Sequence, residues 1–243
     1  MEQGKTQRTW HFVANRRIVV VDRVFGEPFT APHFIEVWMK ANTDYEQALW
    51  GQGYKLIAGC DEAGTGSLIG DAYTACVVFP RDLDYMVLLP GLNDSKQLTP
   101  ERRDLLYPLI KQHALAWAVD STSVEEIAEL NIYWAKWASL RRALNKLSLT
   151  PDHILMDGNK VIPGLTTPQM ALVKGDAKSV SIAAASVLAK VDRDRYVVEL
   201  AKQVDAEWGW ADNKGYCTAE HLAALKKYGK TVYHRSKFVE KFV

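Results

Sequence analysis

Cysteine is scarce in this 243-residue chain, and Cys60, Cys76 and Cys217 form neither a CxxC pair nor a Cys/His ligand spacing. An odd number of unpatterned thiols argues against a structural zinc site or a disulfide framework and leaves reduced, partly buried cysteines. Long apolar runs are also missing. No stretch approaches the ~20 residues of a membrane span, and Met1–Gln7 lacks a signal peptide's apolar segment, so a cytoplasmic location is expected, with no membrane partner. Excess charge of one sign is absent as well. A formal net charge of +1 and a pI near 7.7 exclude nucleic-acid binding by bulk charge, so any such contact must be local. Internal repeats and low-complexity tracts are lacking. What the chain does have is 48% hydrophobic residues, enough to bury the core of one sizeable domain with an appendage. Nothing in it demands more than a monomer.

Residues 1–44 read as an N-terminal appendage of unknown role: Arg16-Arg17 precedes the β-prone run Ile18–Val21, and Pro28 and Pro32 then interrupt regular structure. A hairpin-like unit with a partner of its own is the expectation there. The main domain, 45–243, is announced by a helix start at Asp44, closed by Gly51 and Gly53. Lys55–Cys60 and Tyr73–Phe79 read as neighbouring strands. Thr99-Pro100-Glu101 supplies an N-cap, a first-turn proline and an acidic first turn for a helix to about Gln112. His113–Val119 is the next predicted strand. Ser123–Lys146 reads as one amphipathic helix, with Ile127, Leu130, Trp134, Trp137, Leu140 and Leu144 on a core stripe. His153–Met156 and Met170–Val173 are predicted strands, Ser179 to about Gln203 a helix, and Thr218–Tyr228 a last helix stopped by Gly229. Strands alternating with helices imply an α/β fold with helices on a mixed sheet.

Acidic residues stand at the strand ends: Asp61 and Glu62 where Leu56–Cys60 breaks into a glycine-rich turn, Asp157 before Gly158, and Asp176 after Lys174-Gly175. Each has an ordinary reading. Asp61-Glu62 could be an exposed turn, and Asp176 a helix cap. Together the four suggest a cage for divalent metal, because converging carboxylates repel unless a hard cation shares the space. Two ions ~3.5–4 Å apart would serve in-line displacement at phosphorus, so phosphodiester hydrolysis is the leading expectation. Since neighbouring residues of a strand face opposite sides, Asp61 and Glu62 can share an ion only if the backbone bends there, which Gly64 and Gly66 would permit. Gly64-Thr65-Gly66 with Gly70 is a near miss for a dinucleotide loop, and no GK[ST] marks a Walker loop. A glycine turn that lets backbone groups touch a sugar-phosphate chain fits better. Lys214-Gly215-Tyr216 offers a ring for stacking, and His234-Arg235-Ser236-Lys237 offers phosphate-binding groups or a solvated charge run.

These residues resemble the ribonuclease HII family, the type 2 ribonucleases H. The likeness rests on Ile57-Ala58-Gly59-Cys60-Asp61-Glu62-Ala63-Gly64, Gly91-Leu92-Asn93-Asp94-Ser95-Lys96, Glu129-Leu130-Asn131-Ile132, Met156-Asp157-Gly158-Asn159, Val173-Lys174-Gly175-Asp176, Ala183–Lys190 and Lys214-Gly215-Tyr216, in the family's order across about 45–238. The resemblance implies an RNase H-like fold with a C-terminal helical part. It further implies an endonuclease cutting the RNA strand of RNA/DNA hybrids, or single ribonucleotides embedded in duplex DNA, to leave 5′-phosphate and 3′-hydroxyl. By the same match, Asp61, Glu62, Asp157 and Asp176 would hold Mg²⁺ or Mn²⁺ and carry catalysis. Gly64, Thr65, Gly66 and Tyr216 would read the ribose 2′-hydroxyl, and Asn93, Ser95, Lys96 and Lys174 would contact phosphate.

The chain also departs from that family. Thr65 stands where Gly-Arg-Gly is usual, removing a bidentate phosphate donor, which implies altered junction preference or weaker affinity. Ser67 and Asp71 stand where prolines are common, and the closing His-Arg-x-Ser-Phe reads His234-Arg235-Ser236-Lys237-Phe238. Two other readings compete: a nucleic-acid-binding relative that has lost efficient cleavage, and a metal nuclease of the same fold acting on DNA without ribonucleotides.

Overall fold

The computed structural model describes residues 7–14, 17–24, 37–38, 41–204 and 208–243. Near the N-terminus, β1 (Gln7–Ala14), β2 (Arg17–Val24) and β3 (Val37–Trp38) form a three-stranded antiparallel sheet in that order. The β-prone run Ile18–Val21 lies inside β2, paired to β1 in a register running from Gln7–Val24 to Ala14–Arg17. Pro28 and Pro32 lie outside the described residues.

Five strands make the main sheet, in the order β6-β5-β4-β7-β8. Helix α1 (Asp44–Gly51) leads to β4 (Ile57–Ala63) and β5 (Ala72–Val78). A short α2 (Tyr85–Leu88) and α3 (Pro100–His113) precede β6 (Ala116–Thr122). Next come α4 (Val124–Lys146), β7 (His153–Asp157), β8 (Gln169–Leu172) and α5 (Val180–Ala201). The chain closes with α6 (Trp210–Asn213), α7 (Ala219–Tyr228) and α8 (Ser236–Val239). β4 runs antiparallel to β5 and parallel to β7, so the mixed sheet read from the sequence is the one observed. Caps form where the sequence supplies them: Thr99, Ser123, Ser179 and Thr218 each accept a backbone N–H of the following turn.

Alternation along β4 divides the core. Ala58 and Cys60 pack with Trp137, Leu140 and Leu144 of α4 on one face. Ala63 joins the cluster built on the Ala183–Ala185 stripe of α5 on the other, with Leu106 and Ile110 of α3 beyond it. Cys60 and Cys76 are cross-strand neighbours on the α4 face, both buried free thiols, while Cys217 is exposed. The C-terminal helices add a separate cluster of Trp208, Trp210, Val197, Leu200, Leu225 and Val239. α1 is tied to α5 by the buried Glu46, whose Oε1 accepts from Ser179 Oγ at 2.6 Å and Ser181 N at 3.1 Å.

Two predicted elements differ: the strand expected over His113–Val119 is β6, Ala116–Thr122, with His113 closing α3, and α4 is broken. α4 is interrupted at Asn131, with φ 60° and ψ 162°. The Asn131 carboxamide oxygen accepts from Tyr133 N and Trp134 N, capping a fresh helix start. The break resets the helical phase, so the stripe read straight through it fails: Trp137 is buried, but Trp134 and Leu130 are 51% and 41% exposed. A continuous period cannot register a capping residue within it.

Close approach of α5 to the sheet depends on Gly59, where an added Cβ would lie 2.2 Å from the Ser181 backbone carbon. Backbone cannot rotate aside as a side-chain end can. Gly59→Ala should therefore destabilise the protein by about 3 kcal/mol or more, read as a lowered midpoint in urea unfolding; an unchanged midpoint would mean that α5 is free to shift.

Candidate metal centre and nucleic-acid cleft

Parallel pairing of β4 with β7 brings Asp61 and Asp157 to the same end of the sheet, one residue beyond the Cys60–Met156 partners. Both point to the α5 face, as Gly59 and Leu155 do two residues earlier. Asp176 reaches them from a tight 3₁₀ turn, Gly175–Ala177, entered through Lys174 in the left-handed region at φ 57°. Gly175 N donates to Asp157 Oδ1 at 2.7 Å, locking that turn onto the strand end. One carboxylate oxygen from each aspartate lies within 4.8 Å of the others.

Nothing positive is buried among these three. Burial, then the charges of Glu62 and Asp157, hold Asp61 well above the usual carboxylate range. Burial raises Asp176 to about 6, helped by Asp157 and Asp94 and opposed by Lys96. Lys96 reaches Asp176 at 3.7 Å, but its side chain is 73% exposed. Burial acts to lower the Lys96 pKa, and the surrounding aspartate charges outweigh it and raise the ammonium above its ordinary value. An all-oxygen, anionic, desolvated pocket fits a hard divalent cation.

Glu62 departs from expectation. β4 continues regularly through Ala63, so no bend turns Glu62 toward Asp61; the left-handed glycine, Gly64 at φ +82°, comes only afterwards. Glu62 falls on the α4 face, where Lys136 Nζ meets its Oε1 at 2.9 Å. Its Oε2 is buried without a hydrogen-bond partner. Three of the four predicted carboxylates therefore converge, and the fourth stands beside them on a lysine.

A cleft of about 510 Å³ opens from this cluster, lined by Asp61, Glu62, Gly64, Thr65, Gly66, Ser95, Lys96, Asp157 and Tyr216, with Arg103 and Lys190. The glycine loop is fixed from the C-terminal part. Leu68 N donates to Gly215 O at 2.9 Å, and Ser67 Oγ donates to the same carbonyl at 2.9 Å. Gly215 is left-handed, and a Cβ there would strike Ile69 at 2.1 Å. This junction sets Tyr216 beside the loop, its ring 5.1 Å from Lys190 Nζ and 5.0 Å from the Arg193 guanidinium carbon. Asn93 and Lys174 do not line the cleft: Asn93 is buried and donates to Gln97, and Lys174 is exposed beside the 3₁₀ turn.

Within 234–237 the first two residues are not a solvated charge run, whereas Ser236 and Lys237 are exposed. His234 and Arg235 are each 2% exposed. Arg235 donates to the carbonyls of Gly64, Thr65, Ser67 and Gly70 at 2.8–3.1 Å, shaping the loop from beneath instead of meeting phosphate. Arg193, fully buried, donates to Lys214 O and to Ser67 Oγ at 2.6 Å. Burial pushes both guanidinium pKa values down, yet the carbonyls around them hold the charge. Sequence reading missed Arg193 and Lys136 as parts of the site, and offered Arg235 for phosphate, not for the loop carbonyls it binds. Arg193 gave no signal, standing inside the charged run Asp192-Arg193-Asp194-Arg195 of α5.

An acidic metal cage at the end of the central strand, overlooked by a glycine loop and a tyrosine, defines a metal-binding hydrolase of the ribonuclease H type. The fold agrees: the ribonuclease H2 of Pyrococcus horikoshii superposes with a TM-score of 0.63 at 27% identity, covering 77% of this chain and 98% of that one. Bst-RNase HIII in complex with Mn²⁺ shares the fold alone, with a TM-score of 0.58 at 17% identity over 90% of this chain and 81% of that one. The ribonuclease HII profile matches residues 58–241. Curated ribonucleases HII of Halalkalibacterium halodurans and Parabacteroides distasonis are 48% and 46% identical, over 80% and 76% of this chain and 71% and 90% of theirs. The chain belongs to the ribonuclease HII family, and with that membership goes endoribonuclease activity. Among the described residues no helix is long and apolar enough to cross a membrane.

The raised Asp176 pKa has a pH consequence with a definite sign. Between its ordinary value near 3.8 and about 6, the folded state holds a proton that the unfolded state has lost. The group's contribution to stability is thus complete below about pH 4 and is lost as pH rises through 6. In EDTA, Asp176→Asn should gain in Tm over wild type as pH rises from about 4 to 6, with a constant gap above. A gap independent of pH would show that Asp176 is not desolvated in the folded protein.

Proposed function

We propose that this protein cleaves the RNA strand of RNA/DNA hybrids, and single ribonucleotides embedded in duplex DNA, using two Mg²⁺ or Mn²⁺ ions. The observation that carries this reading is the convergence of Asp61, Asp157 and Asp176 within 4.8 Å at the head of the cleft holding the glycine loop and Tyr216. In this reading the three aspartates, with Glu62 beside them, hold the ions. When bound, such ions supply an activated water and charge neutralisation at the leaving oxygen. Attack of that water on phosphorus, with the P–O3′ bond broken and a proton passed to the leaving oxygen, would leave 3′-hydroxyl on one fragment and 5′-phosphate on the other.

The protein's own part is positioning. In this reading the backbone groups of Gly64–Gly66, held by Arg235, hydrogen-bond a ribose 2′-hydroxyl, and the Tyr216 ring, steadied between Lys190 and Arg193, packs against that sugar. Lys96, Lys190 and Arg103 give the cleft local positive charge in a chain of net charge +1, suiting a nucleic-acid backbone. Ser95 shapes the wall: its N–H donates to Ser186 Oγ and its carbonyl accepts from Arg103. Asn93 and Lys174 act on phosphate only through a longer stretch of substrate. Thr65 leaves the loop without a guanidinium, so phosphate grip there is weaker and junction preference altered. We further assign residues 1–44 as an appendage with a partner of its own, and take the protein to work as a monomer in the cytoplasm.

Two variants test this on a labelled duplex bearing one ribonucleotide, beside an all-DNA control. Asp61→Asn should abolish Mg²⁺- or Mn²⁺-dependent cleavage while duplex binding persists; undiminished turnover would refute the role given to Asp61. Thr65→Arg should tighten binding to the ribonucleotide duplex by roughly tenfold, the worth of one added charge-assisted contact. No change in binding or cleavage would remove the loop from phosphate recognition.

A further inference from the structure

Glu62 is the acidic residue that the aspartate cluster lacks, and the strand itself keeps it apart. Side chains alternate along β4, so Asp61 faces α5 while Glu62 faces α4 with Ala58 and Cys60. There the Lys136 ammonium bonds to Glu62 Oε1 at 2.9 Å, the two side chains being only 20% and 18% exposed. Lys136 Nζ also lies 4.6 Å from the ring centroid of Trp137, itself 3% exposed, which limits the positions open to the ammonium. Glu62 Oε2 remains buried with no hydrogen-bond partner. The charge of Glu62 still reaches the aspartates, as its place after burial among the causes raising Asp61 shows.

We propose that Lys136 is a built-in counter-ion that holds Glu62 against α4 and competes with a divalent cation for its charge, so that Lys136 sets the affinity of an ion held at the neighbouring aspartates. The proposal rests on reading the acidic cluster as a divalent-metal site, and it makes Lys136 a positioning residue acting through Glu62. The physical reason is simple. A partly buried carboxylate needs a compensating charge, and a cation that already supplies one reduces what an incoming ion gains. Without the ammonium, Glu62 would bring its full charge to the site and a neighbouring positive charge would no longer repel the ion. Screened over a few ångströms, a change of one charge corresponds to roughly a tenfold or greater change in affinity.

Calorimetric titration of the full-length protein with Mn²⁺ alone tests the idea without relying on turnover, in wild type, Lys136→Met, Lys136→Gln and Lys136→Arg. Wild type should bind Mn²⁺ in a tighter and a weaker step. Both neutral variants should tighten the weaker step by roughly tenfold, while Lys136→Arg keeps the wild-type value; the Mg²⁺ concentration giving half-maximal cleavage should fall in parallel. Two neutral variants guard against misfolding of one, checked by circular dichroism. A weaker step unchanged or loosened in the neutral variants would overturn the inference while leaving the metal reading intact. Wild type that takes up no Mn²⁺ would overturn both.

Discussion

Mutual repulsion among three converging aspartates, two buried and one half-buried, is the constraint around which this molecule is arranged. Asp61, Asp157 and Asp176 would separate if the backbone could yield, and it is held on every side. Asp61 and Asp157 are fixed by the parallel pairing of β4 and β7, whose outer residues pack into apolar clusters on both faces of the sheet. Asp176 is fixed by a turn that donates a backbone N–H to Asp157 and runs directly into α5. That helix lies against β4 at a distance only Gly59 permits. Core packing thus does electrostatic work: it maintains a concentration of negative charge that only a multivalent cation relieves well.

The C-terminal part solves a different problem, giving a glycine loop a defined shape. Gly64 and Gly66 provide conformational freedom but no rigidity, and rigidity comes from two buried guanidinium groups. Arg235 gathers the loop's carbonyls from below, and Arg193 spans Ser67 and Lys214. Serine at 67 contributes a hydroxyl at this junction that accepts from Arg193 and donates to Gly215 O, bonds that a proline could not form. Both arginines are charges spent on backbone carbonyls, so the chain's near-neutral balance understates how much positive charge is committed internally. The cations lining the cleft, Lys96, Lys190 and Arg103, are themselves paired, Lys96 with Asp176 and the other two with Asp194.

Much of this could be read in the sequence because it depends on local chemistry. Strand runs ending in Asp61 and Asp157, the N-cap at Thr99, and helix starts near Ser123, Ser179 and Thr218 state their roles through neighbours a few positions away. α4 shows where such reading stops. Its apolar spacing predicts one stripe, yet Asn131 takes up a left-handed backbone and recaps the chain, carrying Trp134 to the surface. Periodicity records which residues are apolar and is silent about a phase reset by one side chain bonding to its own backbone.

By itself, then, the sequence determined the order of elements, the mixed sheet, and the four acidic residues at its strand ends, since propensity, capping and the period of strands and helices act over short range. Tertiary structure alone decided which carboxylates meet. β4 stays regular through Glu62, so the pleat sends Asp61 to one face and Glu62 to the other, and only the packing of α4 brings Lys136 to receive it. The roles of Arg193 and Arg235 were likewise set at long range, because a charge reads as solvated until the fold encloses it against acceptors more than a hundred residues away, the Ser67 hydroxyl for Arg193 and the Gly64 carbonyl for Arg235.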